Sequence, residues 1–181
     1  MRCEFRRDSG MPSFCLLKGK LVNTATLMTP VIPPHPLSPR DSWLASFPLR
    51  SFLELGAYDT APGSARGHVR NVLAEWQLCA FEETVTLIVS ELVTNSVIAT
   101  RRAQWEAELP PVRLWLLAGP DGVLVIVWDA VTSMPKWQEP RELDESGRGL
   151  WIVGELSTQC DCYLPPAPYV GKVTRALITH P

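Results

Sequence analysis

The chain carries no excess of positive charge: 17 Lys and Arg stand against 19 Asp and Glu, a formal charge of −2 at pH 7. Without such an excess there is no electrostatic footprint for a nucleic-acid backbone or an anionic membrane surface, and neither is expected as a partner. No apolar run approaches the roughly 18 residues that a membrane span needs. The five cysteines, Cys3, Cys15, Cys79, Cys160 and Cys162, are odd in number and form no pairwise framework, which fits a reducing, cytoplasmic setting. Cys160 and Cys162 make a C-x-C on an expected strand, both facing one side. Further ligands at metal-binding spacing are missing, so zinc is not expected. Arg2, Arg6 and Arg7 have the look of a signal-peptide start, but Asp8, Lys18 and Lys20 interrupt any apolar segment behind them, and the reading is against secretion. Internal repeats are absent as well.

What remains is a chain of 181 residues, 46% apolar, enough for one core plus a tail or linker. Residues 1–48 hold seven prolines, five of them from Pro30 to Pro39 in TPVIPPHPLSP. That composition suits extended, polyproline-like backbone, so a disordered tail is expected there and a single domain over 49–181. His35, inside the tract, reads as solvated.

Periodicity then orders the domain. Phe52, Leu53 and Leu55 suit a short strand within Ser51–Tyr58. A helix follows, with Thr60 as its N-cap, Pro62 in its first turn, and a stripe of Ala65, Val69, Val72, Leu73 and Trp76. His68 lies off that stripe, at a solvated or groove-edge position. A second helix runs from Phe81 to Thr100, with Val85, Ile88, Val89 and Leu92 at helical spacing and Glu82 and Glu83 in the first turn. Val112–Ala118 and Val123–Trp128 are β-rich runs joined by Gly119-Pro120-Asp121-Gly122, a hairpin signal. A long loop follows Asp129 and closes on Ser146-Gly147-Arg148-Gly149, and a helix starts near Leu150. Strands are expected over Thr158–Tyr163 and Val170–Thr179. The order β-α-α-β-β-loop-α-β-β predicts an α+β fold, a two-layer sandwich with helices on one face of a mixed, mostly antiparallel sheet.

Three groups of residues carry chemistry. Glu91 sits among apolar residues of the second helix, where a carboxylate is costly unless paired, hydrogen-bonded or used. Asn95, at i+4, projects from the same face. The pair is either a structural Glu–Asn hydrogen bond or a polar site facing a cleft. Asp129 ends the most apolar run; it can accept hydrogen bonds from a ligand amine, or cap the backbone N–H groups of its own loop. Gly147-Arg148-Gly149 opens a helix, where free N–H groups and the positive dipole end favour an anion and the arginine can add a charge-assisted contact.

Taken together, SELVTNS (Ser90–Ser96), the Asp129 strand end, GRGLWIVGELS (Gly147–Ser157) and Gly171-Lys172 resemble the GHKL, or Bergerat, ATP-binding fold, and within it the bacterial anti-sigma-factor serine/threonine kinase family. The resemblance spans about Leu53–Thr179. It implies ATP and Mg²⁺ as cofactors, Asn95 as the residue holding Mg²⁺ against the phosphates, and Glu91 as the base that orients or deprotonates the attacking hydroxyl. It further implies Ala99 as the small position beside the adenine and Asp129 as the acceptor for the adenine amine, favouring ATP over GTP. Gly147, Arg148, Gly149 and Leu150 correspond to the phosphate-contacting end of an ATP lid. The implied activity is phosphorylation of a serine or threonine on a small antagonist protein, coupled to sequestering a sigma factor; a homodimer is compatible with it. Two positions depart from the pattern. Ile98 stands where a polar or basic residue is common, and AVTSMP after Asp129 has none of the glycines of D-x-G-x-G, which favours ATP binding over rapid turnover. A non-catalytic ATP-binding module is therefore the alternative, and a sensor-kinase ATPase half, lacking dimerisation helices and a phosphoacceptor histidine here, a weaker third.

Overall fold

Two apolar strands with both faces buried set the architecture. On β4 (Val112–Gly119) and β5 (Gly122–Asp129), side chains alternate between two separate cores. Val112, Leu114, Leu116, Val123, Val125 and Val127 point to the helical layer, whereas Trp115, Leu117, Leu124 and Ile126 pack on the opposite face. Burial on both faces explains why these runs are continuously apolar rather than alternating.

The coordinates are a computed structural model, which describes residues 14–17, 20–23, 42–106, 108–135 and 148–179. The chain divides into two compact units, Met1–Pro33 and Pro34–Pro181. In the first, β1 (Phe14–Leu17) and β2 (Lys20–Asn23) form an antiparallel hairpin within the stretch where no strand is expected. Its β-prone residues flank Lys18-Gly19, a local signal that the proline content of the tail obscures. The proline tract with His35 lies outside the described residues.

The second unit is a five-stranded sheet in the order β3-β4-β5-β7-β6, with β3 at Leu49–Leu55, β6 at Gln159–Tyr163 and β7 at Lys172–Ile178. Every neighbouring pair is antiparallel. The helices α1 (Ala61–Glu75), α2 (Glu82–Arg102) and α3 (Gly149–Leu156) complete the α+β sandwich. A 3-10 turn at Ser42–Ser46 precedes β3, and its Leu44 joins Phe47 on the outer sheet face. Arg50 fastens this segment by donating from Nε to the Phe47 carbonyl (3.0 Å) and from Nη2 to the Leu44 carbonyl (2.8 Å).

Sequence expectations and observed boundaries differ at the helix ends. Thr60 occupies the N-cap position of α1 but has helical dihedrals (φ −80°, ψ −15°) and makes no side-chain cap bond. Proline in the first turn supplies the fixed φ that starts the helix there. Helix α2 continues past Thr100 to Arg102, with Arg101 and Arg102 complementing the C-terminal dipole and Arg101 ion-paired to Asp59. Of the two positions expected for His68, solvated or groove-edge, its half-burial excludes the fully solvated one: its Nε2 lies 2.9 Å from Ser51 Oγ on β3, and burial pushes its imidazole below the ordinary value.

Candidate functional site

Helix α2 explains why an acid and an amide interrupt its apolar run. Val85, Ile88, Val89, Leu92 and Val93 are buried against the sheet and α1. Glu91, Asn95 and Ala99, four residues apart, form a separate face, and all three line one cavity of about 610 Å³. Both polar residues are half-buried, so Glu91 keeps access to solvent through the cavity and escapes the full desolvation cost. Ala99 lies about 12 Å along the helix from Glu91, at 1.5 Å per residue. The volume falls in the range of small-molecule sites, roughly 300–1,000 Å³.

Helix α3 closes one wall: Arg148, Gly149 and Leu150 line the same cavity. Arg148, exposed, holds the N-cap position and its carbonyl accepts the first helical bond, from Ile152 N–H at 2.9 Å. Gly149 leaves room for the Glu91 carboxylate in its observed position, because a Cβ built on it would stand 2.3 Å from Glu91 Oε2. The helix N-terminus and the Glu91 carboxylate therefore meet directly, an arrangement in which the dipole favours the anionic side chain. Gly147 lies outside the described residues.

Asp129 ends β5 beside the cavity-lining Lys172. It is 1% exposed and does not line the cavity. Its Oδ1 accepts the Val131 N–H at 3.0 Å, which realises the loop-capping alternative, and also accepts from Lys172 Nζ at 2.7 Å. Lys172, buried at 6% exposure, does line the cavity, together with Thr174. Antiparallel pairing sets Asp129 directly opposite Lys172. Gly171, at φ +106°, makes that register reachable, since a Cβ there would lie 2.2 Å from the Asp129 carbonyl oxygen. In the sequence Gly171-Lys172 stands only as part of the family resemblance, which does not mark the lysine as a wall residue. The available signal was a cation starting an apolar strand, which in a buried position needs an acid opposite it.

The C-x-C pair takes no part. Burial pushes the Cys160 thiol up to about 11 and raises Cys162 as well, so both stay protonated and inert. Among the described residues no group of three or more His, Cys, Asp or Glu could hold a metal ion. A hard cation at Asn95 would therefore take most of its oxygen ligands from a phosphate-bearing ligand and water, which is how Mg²⁺ is commonly held.

A two-layer sandwich of helices on an antiparallel sheet, with a cavity lined by an acid and an amide of one helix and by the N-terminus of another, is a GHKL-type ATPase sandwich. Residues 59–169, more than half of the chain, match the family model of the histidine kinase-like ATPase domain, and the chain belongs to that family. The protein is accordingly an ATP-binding, histidine-kinase-like module. No curated protein matches it. No helix among the described residues is long and apolar enough to cross a membrane.

Proposed function

We propose that this protein is a cytoplasmic ATP- and Mg²⁺-binding regulator of anti-sigma-factor type, which phosphorylates a serine or threonine of a small antagonist protein and sequesters a sigma factor. The observation carrying the reading is the convergence of Glu91, Asn95 and the Gly149 helix start on one cavity. Phosphoryl transfer asks a protein mainly for positioning and charge neutralisation. Asn95 offers its amide oxygen to the cation, and Mg²⁺, when bound with nucleotide, supplies neutralisation at the phosphates. Glu91 is placed to orient an attacking hydroxyl and to take its proton onto a carboxylate oxygen. The N–H groups at the start of α3 suit the anionic end of the ligand, and Ala99 leaves room for a flat base one turn beyond Asn95.

Glu91→Gln tests the assignment, with labelled ATP, candidate antagonist proteins and a parallel nucleotide titration. Transfer falls by about 10²–10⁴-fold while ATP affinity stays within a few-fold. Undiminished transfer would remove Glu91 from the chemistry. A second reading, a partner-binding module that uses ATP only to set its shape, is favoured by two features: Asp129 is engaged by Lys172 and Val131, and no glycine follows it through Pro135. Binding of ATP without transfer to any antagonist would select that reading.

A further inference from the structure

Among the described residues the sheet has two open edges, and they differ in what they offer a second copy of the chain. β3 and β6 end the strand order, each pairing with one neighbour only. An open edge presents a row of unpaired backbone N–H and C=O groups, a template for a further strand. β3 runs for seven residues without proline, and of these only Leu55 is buried. Leu49, Leu53 and Leu55 belong to the helical face, and Phe52 to the outer face. Alternation puts Arg50 and Glu54 beside Phe52 on that outer face, two residues to either side and opposite in charge. Both keep a polar atom in reserve. Arg50 donates from Nε and Nη2 to carbonyls of its own chain, and Glu54 accepts from Arg113 on Oε2 at 2.8 Å. Arg50 Nη1 and Glu54 Oε1 have no partner among the described residues.

We propose that β3 is a dimerisation edge, pairing antiparallel with β3 of a second copy of this chain about a two-fold axis at Phe52. In that register Arg50 faces the copy's Glu54 and Glu54 faces the copy's Arg50, so both cross-strand charge pairs are attractive. Phe52 meets its own copy on the outer face, and Leu49 meets Leu55 on the helical face, so the apolar layers continue across the junction. Other two-fold registers lose this match. Centring the pair on Arg50 or on Glu54 sets like charges opposite each other, which is destabilising. Centring it on Ser51 or Leu53 sets one of the two charges against Phe52. The opposite edge of the sheet has no comparable solution, because β6 paired with itself about its middle residue puts Asp161 against Asp161. The contact at β3 is isologous and closes after two copies. It joins two five-stranded sheets into a continuous one with both helical layers on the same face. This interface goes beyond the nucleotide reading and does not depend on it.

The test is sedimentation equilibrium of the full chain. The wild type sediments at twice the 20.2 kDa of one chain. Arg50→Glu sets acid against acid at both cross-pairs and Glu54→Arg sets base against base, and each variant alone weakens the dimer at least about tenfold. Mixed in equal amounts, the two variants regain the dimer, because every acid then faces a base. A dimer that persists in both single variants puts the contact on another surface and overturns the proposal. A mixture as dissociated as its components overturns it too, as does a wild type that stays at one chain mass up to about 100 μM. Should either variant fail to fold, hydrogen exchange of the wild type decides. The amides of Leu49–Leu55 exchange more slowly as the protein is concentrated through the dimerisation range. Exchange at β3 that does not respond to concentration overturns the proposal.

Discussion

Replacing Lys172 by methionine isolates the energetics of the buried pair. Methionine keeps a long unbranched stem, so packing changes little, but the Asp129 carboxylate loses its counter-charge at 1% exposure. At the observed 2.7 Å separation, and with an effective dielectric of about 20, the attraction is about 6 kcal/mol. Desolvation of both ions offsets most of this, so the pair itself is worth little against an uncharged replacement. Removing one partner is different, because the desolvated charge remains: the expected loss is about 3–5 kcal/mol. With a urea m-value of about 2 kcal/mol per molar, the unfolding midpoint falls by roughly 2 M, followed by tryptophan fluorescence at pH 7. Adding Asp129→Asn should restore most of the stability, since asparagine keeps an acceptor for the Val131 N–H while discharging the site. A single-variant loss below about 1 kcal/mol, or a double variant that is the sum of its parts, would refute the reasoning and show that water reaches the carboxylate.

Gly149→Ala should leave stability equal or slightly higher, alanine being the better helix former by about 1 kcal/mol. It must push the Glu91 carboxylate aside, because the new Cβ would sit 2.3 Å from Oε2. A displacement of about 1 Å predicts a loss of up to about 10²-fold in phosphoryl transfer with ATP affinity little changed, read in a transfer assay beside a titration. Ala99→Leu puts a bulkier side chain into the cavity lining and should weaken ATP binding by about tenfold or more while the thermal midpoint holds. His68, whose imidazole burial pushes below its ordinary 6.5, binds fewer protons folded than unfolded. Stability should therefore fall as pH drops below about 6.5, and His68→Gln should flatten that slope in urea titrations at pH 7 and pH 5.

Much of the frame was legible in the residues themselves. Helix α2 announces itself through Val85, Ile88, Val89 and Leu92, and the Glu91/Asn95 interval puts both on one face wherever the helix packs, because 3.6 residues per turn is a local property. The β4–β5 hairpin and the glycine-flanked start of α3 are likewise local, and from them the family resemblance follows. Less was legible at Asp129, whose two readings, ligand acceptor and loop cap, differ only in what stands across the sheet.

Tertiary structure decided which residues stand opposite one another. Lys172 is 43 residues from Asp129, and only the strand order that inserts β7 between β5 and β6 sets the two opposite each other. The contact of Gly149 with Glu91 needs α3 to dock on α2 after a long excursion of chain, so no periodicity could reveal it. Burial of both sheet faces likewise depends on Leu44 and Phe47 folding back beneath the strands. Residue pattern determines which faces a segment owns; which faces meet depends on long-range packing, and the wall chemistry of the cavity is written there.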